Sequence, residues 1–319
     1  MICLTGSGIC TKIIAGEKMD DLSLKIKKLL KEKDAILLAH NYQIREVQKI
    51  ADHLGDSLQL SRLAADVKNS VIVFAGVKFM AETAKIISPE KKVLLPRLDA
   101  GCPMADMITV EELRWMKEKY PKAKVVTYVN SGADIKAESD ACCTSSNAVK
   151  VVSNIDSNEV IFVPDRNLGS YVQSKVSDKR IHLFEGYCYV HNRIKKEEIT
   201  ETAKLHPDAK IIVHPEVRSE IIELADEVLS TSGILRYASA SPANEFIVAT
   251  EEGLLDRMRG ENPGKKFYPA LRPKICQNMK RTELEDIYLS LKMERYEIEI
   301  DDEISRKALR SLNEMLKYV

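Results

Sequence analysis

"LKEKDAILLAHNYQ", residues 30–43, is a charged lead-in, a short aliphatic run, and then a polar residue able to do chemistry, His40. The same grammar recurs in "EKYPKAKVVTYVNS", residues 118–131, whose run ends at Tyr128, and in "KLHPDAKIIVHPEV", residues 204–217, whose run ends at His214. The three run ends are spaced 88 and 86 residues apart. Short runs of Val, Ile and Leu predict strands buried on both faces, as in parallel sheets.

The period extends beyond these runs. Seventeen residues past each run end stands a hydroxyl: Ser57 in "GDSLQLSRLAAD", Ser145 in "CCTSSNAVKVV" and Thr231 in "LSTSGILRYA". Each is predicted at a helix start, where Ser and Thr cap free backbone donors. A second strand follows in "SVIVFAGVKFM", "EVIFVPDRNLG" and "EFIVATEEGLL". After a further helix, a third short strand runs into a cysteine: Cys102 in "KKVLLPRLDAGC", Cys188 in "KRIHLFEGYC" and Cys276 in "KKFYPALRPKIC". Those cysteines are 86 and 88 residues apart.

Strands alternating with helices predict βαβ units. The fold class expected is α/β, as three homologous three-layer α/β/α domains with short parallel sheets about a pseudo-threefold axis. The expected division is an unmatched extension (1–18), three repeats (19–105, 106–190 and 191–278) and a helical tail (279–319). The first helix is expected to begin near Met19, in "DDLSLKIKKLL". The tail reads as two helices around a strand, "RYEIEID", folded back on the first repeat. Open α/β sheets bind ligands outside the carboxyl ends of their strands. A threefold arrangement of those ends therefore brings together three thiols, three strand-end polar groups and three helix starts.

Composition narrows the function. The chain has 48 basic and 48 acidic residues, so no broad nucleic-acid or membrane footprint is expected. No apolar run approaches the length of a membrane helix. Seven cysteines at scattered spacing fit a reducing cytoplasm better than a disulfide framework. Cys3, Cys10, Cys142 and Cys143 fall outside the repeat phase and are expected to be structural or incidental.

Three thiolates in one phase admit a zinc site completed by His191, or an iron–sulfur cluster with one iron left open as a Lewis acid. A repeat scaffold with packing cysteines is the reading without chemistry.

The ordered motifs "AHNYQ", "GDSLQL", "GCPMADM", "YVNS", "CTSSNAV", "PDRNLG", "VHPE", "STSG" and "CQNMK" resemble the quinolinate synthase family over about residues 20–280. The resemblance implies an enzyme of de novo NAD biosynthesis that joins iminoaspartate to dihydroxyacetone phosphate, giving quinolinate, phosphate and water. It implies one [4Fe–4S] cluster per chain, held by Cys102, Cys188 and Cys276. It implies substrate positions at His40, Ser57, Tyr128, Val129, Asn130, Ser145, His214, Pro215, Glu216 and Thr231, with Tyr42 and His191 as further active-site groups. Glu216 is expected to be the general base, assisted by Tyr42 and His40. A transient contact with the enzyme that supplies iminoaspartate is also implied.

Overall fold

The computed structural model describes residues 7–318, with side chains described from residue 20 onward. Three parallel four-stranded sheets follow one another along the chain. The first holds β1 (Ala35–His40), β2 (His53–Gly55), β3 (Val71–Ala75) and β4 (Lys92–Leu94), in the order β2-β1-β3-β4. The second holds β5 (Lys124–Tyr128), β6 (Ala141–Cys143), β7 (Glu159–Val163) and β8 (Arg180–Leu183), in the order β6-β5-β7-β8. The third holds β9 (Lys210–Val213), β10 (Glu227–Val228), β11 (Glu245–Ala249) and β12 (Lys266–Pro269), in the order β10-β9-β11-β12.

The fold class is therefore the one the period predicted, with one strand more per sheet. The extra strands, β2, β6 and β10, are two or three residues long. They hydrogen-bond to one edge of each sheet and have no aliphatic run of their own, so pattern alone does not mark them. The central strands are aliphatic throughout because helices cover both faces; β1 is buried along its whole length. One apolar core runs through all three units, from Leu38 and Phe74 through Val126 and Phe162 to Ile212 and Phe246.

The N-terminal helix spans Ser7–Glu32, so it begins well before Met19. Its described core contacts come from Ile26 and Leu30, which pack with Leu284, Ile287 and Leu291 of the helix Leu284–Met293 under the first sheet. Cys3 lies outside the described residues, as does the side chain of Cys10.

The tail differs from expectation in two ways. "RYEIEID" makes only an edge pairing with β4, through Leu95 N–H to Tyr296 O (3.0 Å) and Ile298 N–H to Val93 O (2.8 Å). The last helix, Asp302–Leu316, crosses to the second unit. There Ser311 donates to the carbonyl of Lys136 at 2.8 Å and lies 3.3 Å from Cys142 Sγ, while Ala308, Leu312 and Met315 enter the core. This helix buries its apolar stripe mainly against the second unit and also reaches the helix Lys78–Ile87 of the first.

Candidate active site

The carboxyl ends of β1, β5 and β9 meet around one cavity. Each strand end contributes a residue and its neighbour two positions on: His40 and Tyr42, Tyr128 and Asn130, His214 and Glu216. In the first and third units a local bond fixes the imidazole. His40 Nδ1 accepts from Tyr42 N–H (3.2 Å), and His214 Nδ1 accepts from Glu216 N–H (3.4 Å). With Nδ1 an acceptor, each neutral ring carries its proton on Nε2. Burial lowers both histidines to about 3, so they are neutral at ordinary pH.

The three cysteines reach the cavity by one backbone device. The N–H groups of Lys78, Arg166 and Glu252 donate to the carbonyls of Ala100, Gly186 and Lys274 at 2.8, 2.9 and 2.9 Å. In each case the cysteine follows two residues later, at Cys102, Cys188 and Cys276, and all three line the cavity. Burial raises all three thiols, Cys102 to about 12, so without a metal they stay protonated.

The donor set suits a cluster better than one zinc ion. Four-coordinate zinc needs its sulfurs about 2.3 Å from the metal. Among the described residues, the side chains close enough to share one ion are Cys188, His191 and Glu216, whose ligand atoms lie within 4.8 Å of one another. Cys102 and Cys276 are not in that group. Three soft thiols lining one cavity are the ligand type that iron–sulfur clusters take. Cys142 and Cys143 are fully buried in β6 and do not line the cavity.

A hydrogen-bonded chain begins beside Cys188. Glu216 Oε2 lies 2.7 Å from His191 Nδ1, and His191 Nε2 lies 2.9 Å from Thr250 Oγ1. Thr250 Oγ1 is 2.7 Å from Tyr42 Oη. Tyr128 donates to the other oxygen, Glu216 Oε1, at 2.6 Å. Burial alone would raise the Glu216 carboxyl, but His191 and the Tyr128 hydroxyl overcome it and hold it ionised. Burial, reinforced by Glu216, raises Tyr42 and Tyr128 well above the ordinary range, so both remain phenols. Asp165, buried near the same charge, is pushed the opposite way from Glu216.

The three hydroxyls lie beside the cavity, but they are not the caps. Asp56 and Ser230 cap the helices Ser57–Asp66 and Thr231–Ala240, with Ser57 and Thr231 one step inside. Ser145 precedes Asn147, the residue at the start of the helix Ala148–Asn154. A residue one step past a cap keeps its own backbone N–H free, so the anion-binding logic passes from side chain to main chain. The side chains stitch the units together instead: Asn41 Nδ2 donates to Thr231 Oγ1 (2.9 Å), and Ser145 Oγ lies 3.2 Å from His214 Nε2. Val129 and Pro215 are buried in the strand-end turns and do not line the cavity.

Residues missed by pattern include Thr250, Glu251, Asp165 and Asp56. Thr250 directly follows β11, and the strand-end rule applied to second strands would have found it.

Comparison with known proteins agrees with this geometry. The family described as quinolinate synthetase A protein (NadA) matches residues 24–317. The chain belongs to this family. Quinolinate synthase 2 of Methanosarcina acetivorans is 52% identical over 303 residues, covering 94% of this chain and 97% of that one. The quinolinate synthases of Geobacter sp. and Caldicellulosiruptor saccharolyticus are 53% and 50% identical, over 93% and 94% of this chain and 97% and 99% of theirs. A reductase acting on (E)-1-hydroxy-2-methyl-but-2-enyl 4-diphosphate in Plasmodium falciparum overlaps with a TM-score of 0.32 at 12% identity, covering 87% of this chain and 94% of that one.

Proposed function

We propose that the chain is a quinolinate synthase of de novo NAD biosynthesis that condenses iminoaspartate with dihydroxyacetone phosphate and releases phosphate and water. The observation that carries this reading is the cavity itself, which brings three thiols from three units together with the Glu216–His191–Thr250–Tyr42 chain. Cys102, Cys188 and Cys276 would hold one [4Fe–4S] cluster. When bound, a cluster with three protein ligands supplies a Lewis acid for a substrate oxygen.

The protein groups do the rest. Among the described residues no Lys or Arg lines the cavity, so the protein's hold on both anionic substrates falls to neutral donors. His40 Nε2–H, Asn130 and the main-chain donors at Ser57 and Thr231 provide them. Asn130 Oδ1, buried without a partner among the described residues, is an acceptor for a substrate N–H or O–H, while its Nδ2 can donate. Glu216 is the ionised carboxylate and takes the proton from carbon. His191 and Thr250 connect it to the Tyr42 hydroxyl, which can return a proton to a leaving oxygen. The buried walls keep bulk water from quenching these transfers.

The test uses protein purified without oxygen. About four irons and four sulfides per chain are expected, with quinolinate formed from iminoaspartate and dihydroxyacetone phosphate. The Cys188–His191–Glu216 group supports a second reading, a single metal ion. One metal and no sulfide per chain would favour it, and a chain that folds and turns over without metal would exclude both.

A further inference from the structure

The backbone device that delivers the cysteines is threefold, but the residue before each donor is not. Those residues are Val77, Asp165 and Glu251, spaced 88 and 86 residues apart. Two are acids, and both are fully buried. Glu251 Oε1 accepts the N–H of Cys276 at 3.0 Å, and its Oε2 accepts the N–H of Gly253 at 2.7 Å. Lys280 holds the same carboxylate at 3.0 Å and donates to Tyr42 O at 2.7 Å. Asp165 Oδ1 accepts the N–H groups of Asn167 (2.8 Å) and Leu168 (3.0 Å). The backbones of Asp165 and Glu251 also pair as isolated parallel bridges with Gly186 and Lys274, each two residues before its cysteine, and the buried Asp165 Oδ2 has no hydrogen-bond partner among the described residues. Val77 has no acceptor to offer Cys102.

We infer that Asp165 and Glu251 are positioning residues that pre-form the Cys188 and Cys276 loops, leaving Cys102 as the ligand that joins the cluster last and leaves it first. The inference rests on the cluster reading above. Three thiolates converging on one group repel one another, and a loop fixed beforehand does not have to be ordered as they bind. The Glu251 carboxylate accepts the Cys276 N–H and fixes that loop next to the ligating atom, while Asp165 ties the Cys188 loop to its strand end through the Gly186 bridge. The Cys102 loop has Gly101 and Pro103 on either side, and a Cβ built on Gly101 would meet nothing nearer than Asp106 Oδ2 at 3.6 Å. By contrast, a Cβ on Gly186 would lie 2.5 Å from the Pro164 carbonyl, so the second loop is pressed onto its strand end.

The experiment is performed on cluster-loaded protein without oxygen. A ferrous chelator, bathophenanthroline disulfonate, removes iron while iodoacetamide traps each freed thiol for mass spectrometry. Parent protein is expected to show Cys102 alkylated about tenfold faster than Cys188 or Cys276. Glu251→Ala should bring Cys276 up to the Cys102 rate and speed iron loss about ten- to hundredfold, the usual cost of losing a supporting partner of a metal ligand. Asp165→Ala should do the same for Cys188. Glu251→Gln and Asp165→Asn keep a carbonyl acceptor, so they should stay within about threefold of the parent; this rescue separates the hydrogen bond from general packing. If an alanine variant does not fold, the other acid's variants decide. Equal alkylation of all three thiols in the parent would overturn the inference. So would alanine variants that release iron at the parent rate, or amide variants as impaired as the alanine ones. A parent that binds iron without sulfide would instead overturn the cluster reading itself.

Discussion

His191 Nδ1 lies 2.7 Å from Glu216 Oε2 and 3.2 Å from Cys188 Sγ. One imidazole thus touches both the ionised carboxylate and one of the three thiols, and its other nitrogen leads to Tyr42 through Thr250. In the proposed function, this places proton transfer and metal ligation within one side chain of each other.

Glu216→Gln keeps shape and hydrogen bonding but removes the base. Quinolinate yield at matched iron content is expected to fall roughly a hundred- to ten-thousand-fold, with the iron and its spectrum retained. Turnover within about threefold of the parent would take Glu216 out of the mechanism. Loss of iron would make it a support of the metal site.

Replacing Cys102, Cys188 or Cys276 by Ser should abolish quinolinate formation and sharply lower bound iron. Cys142→Ser and Cys143→Ser should leave iron unchanged, since both lie in β6 away from the cavity. Iron and sulfide analysis of the five variants decides. Cluster loss in Cys143→Ser with retention in Cys188→Ser would reverse the ligand assignment.

His40 and His214 are ordinarily near 6.5 and are lowered to about 3 here by burial. Between those values the unfolded chain binds protons that the folded chain excludes, so stability is full above pH 6.5 and falls as pH drops. Each histidine contributes a slope on the order of 1.4 kcal/mol per pH unit in that window. Denaturation midpoints at pH 7 and pH 5 should therefore differ more in the parent than in His214→Asn. Identical pH dependence in the two proteins would contradict the assignment.

The two ends of the chain should respond oppositely. Leu312→Ala opens a cavity under the last helix, where Leu312 is fully buried, and should cost about 2–5 kcal/mol. Deleting residues 1–18 leaves Ile26 and Leu30 in place and should move the melting temperature by less than about 2 °C. Calorimetry of both proteins provides the check. A strongly destabilised truncation would mean that the first turns of the N-terminal helix bear on the fold.

Much of this protein was legible in the chain because its period repeats every 86 to 88 residues. Burial on both faces forces the central strands to be aliphatic, and strand ends in parallel sheets point at the ligand side. His40, Tyr128, His214 and the three cysteines could therefore be found by phase alone. The cap positions were misread by a residue or two because Asp, Asn and Ser all cap well, and several stand side by side at these helix starts.

The sequence by itself determined the fold class, the threefold plan and which thiols share a phase, because each follows from local pattern and fixed spacing. The tertiary structure alone decided which side chains touch. Thr250 and Tyr42 are 208 residues apart yet 2.7 Å from one another, and Glu216 meets Tyr128 across 88 residues. It also decided that the last helix covers the second unit and that Asp165 and Glu251 stand behind two of the cysteines. Distances across a threefold axis depend on how three separately patterned sheets pack, and pattern within one unit carries no information about the faces of the other two.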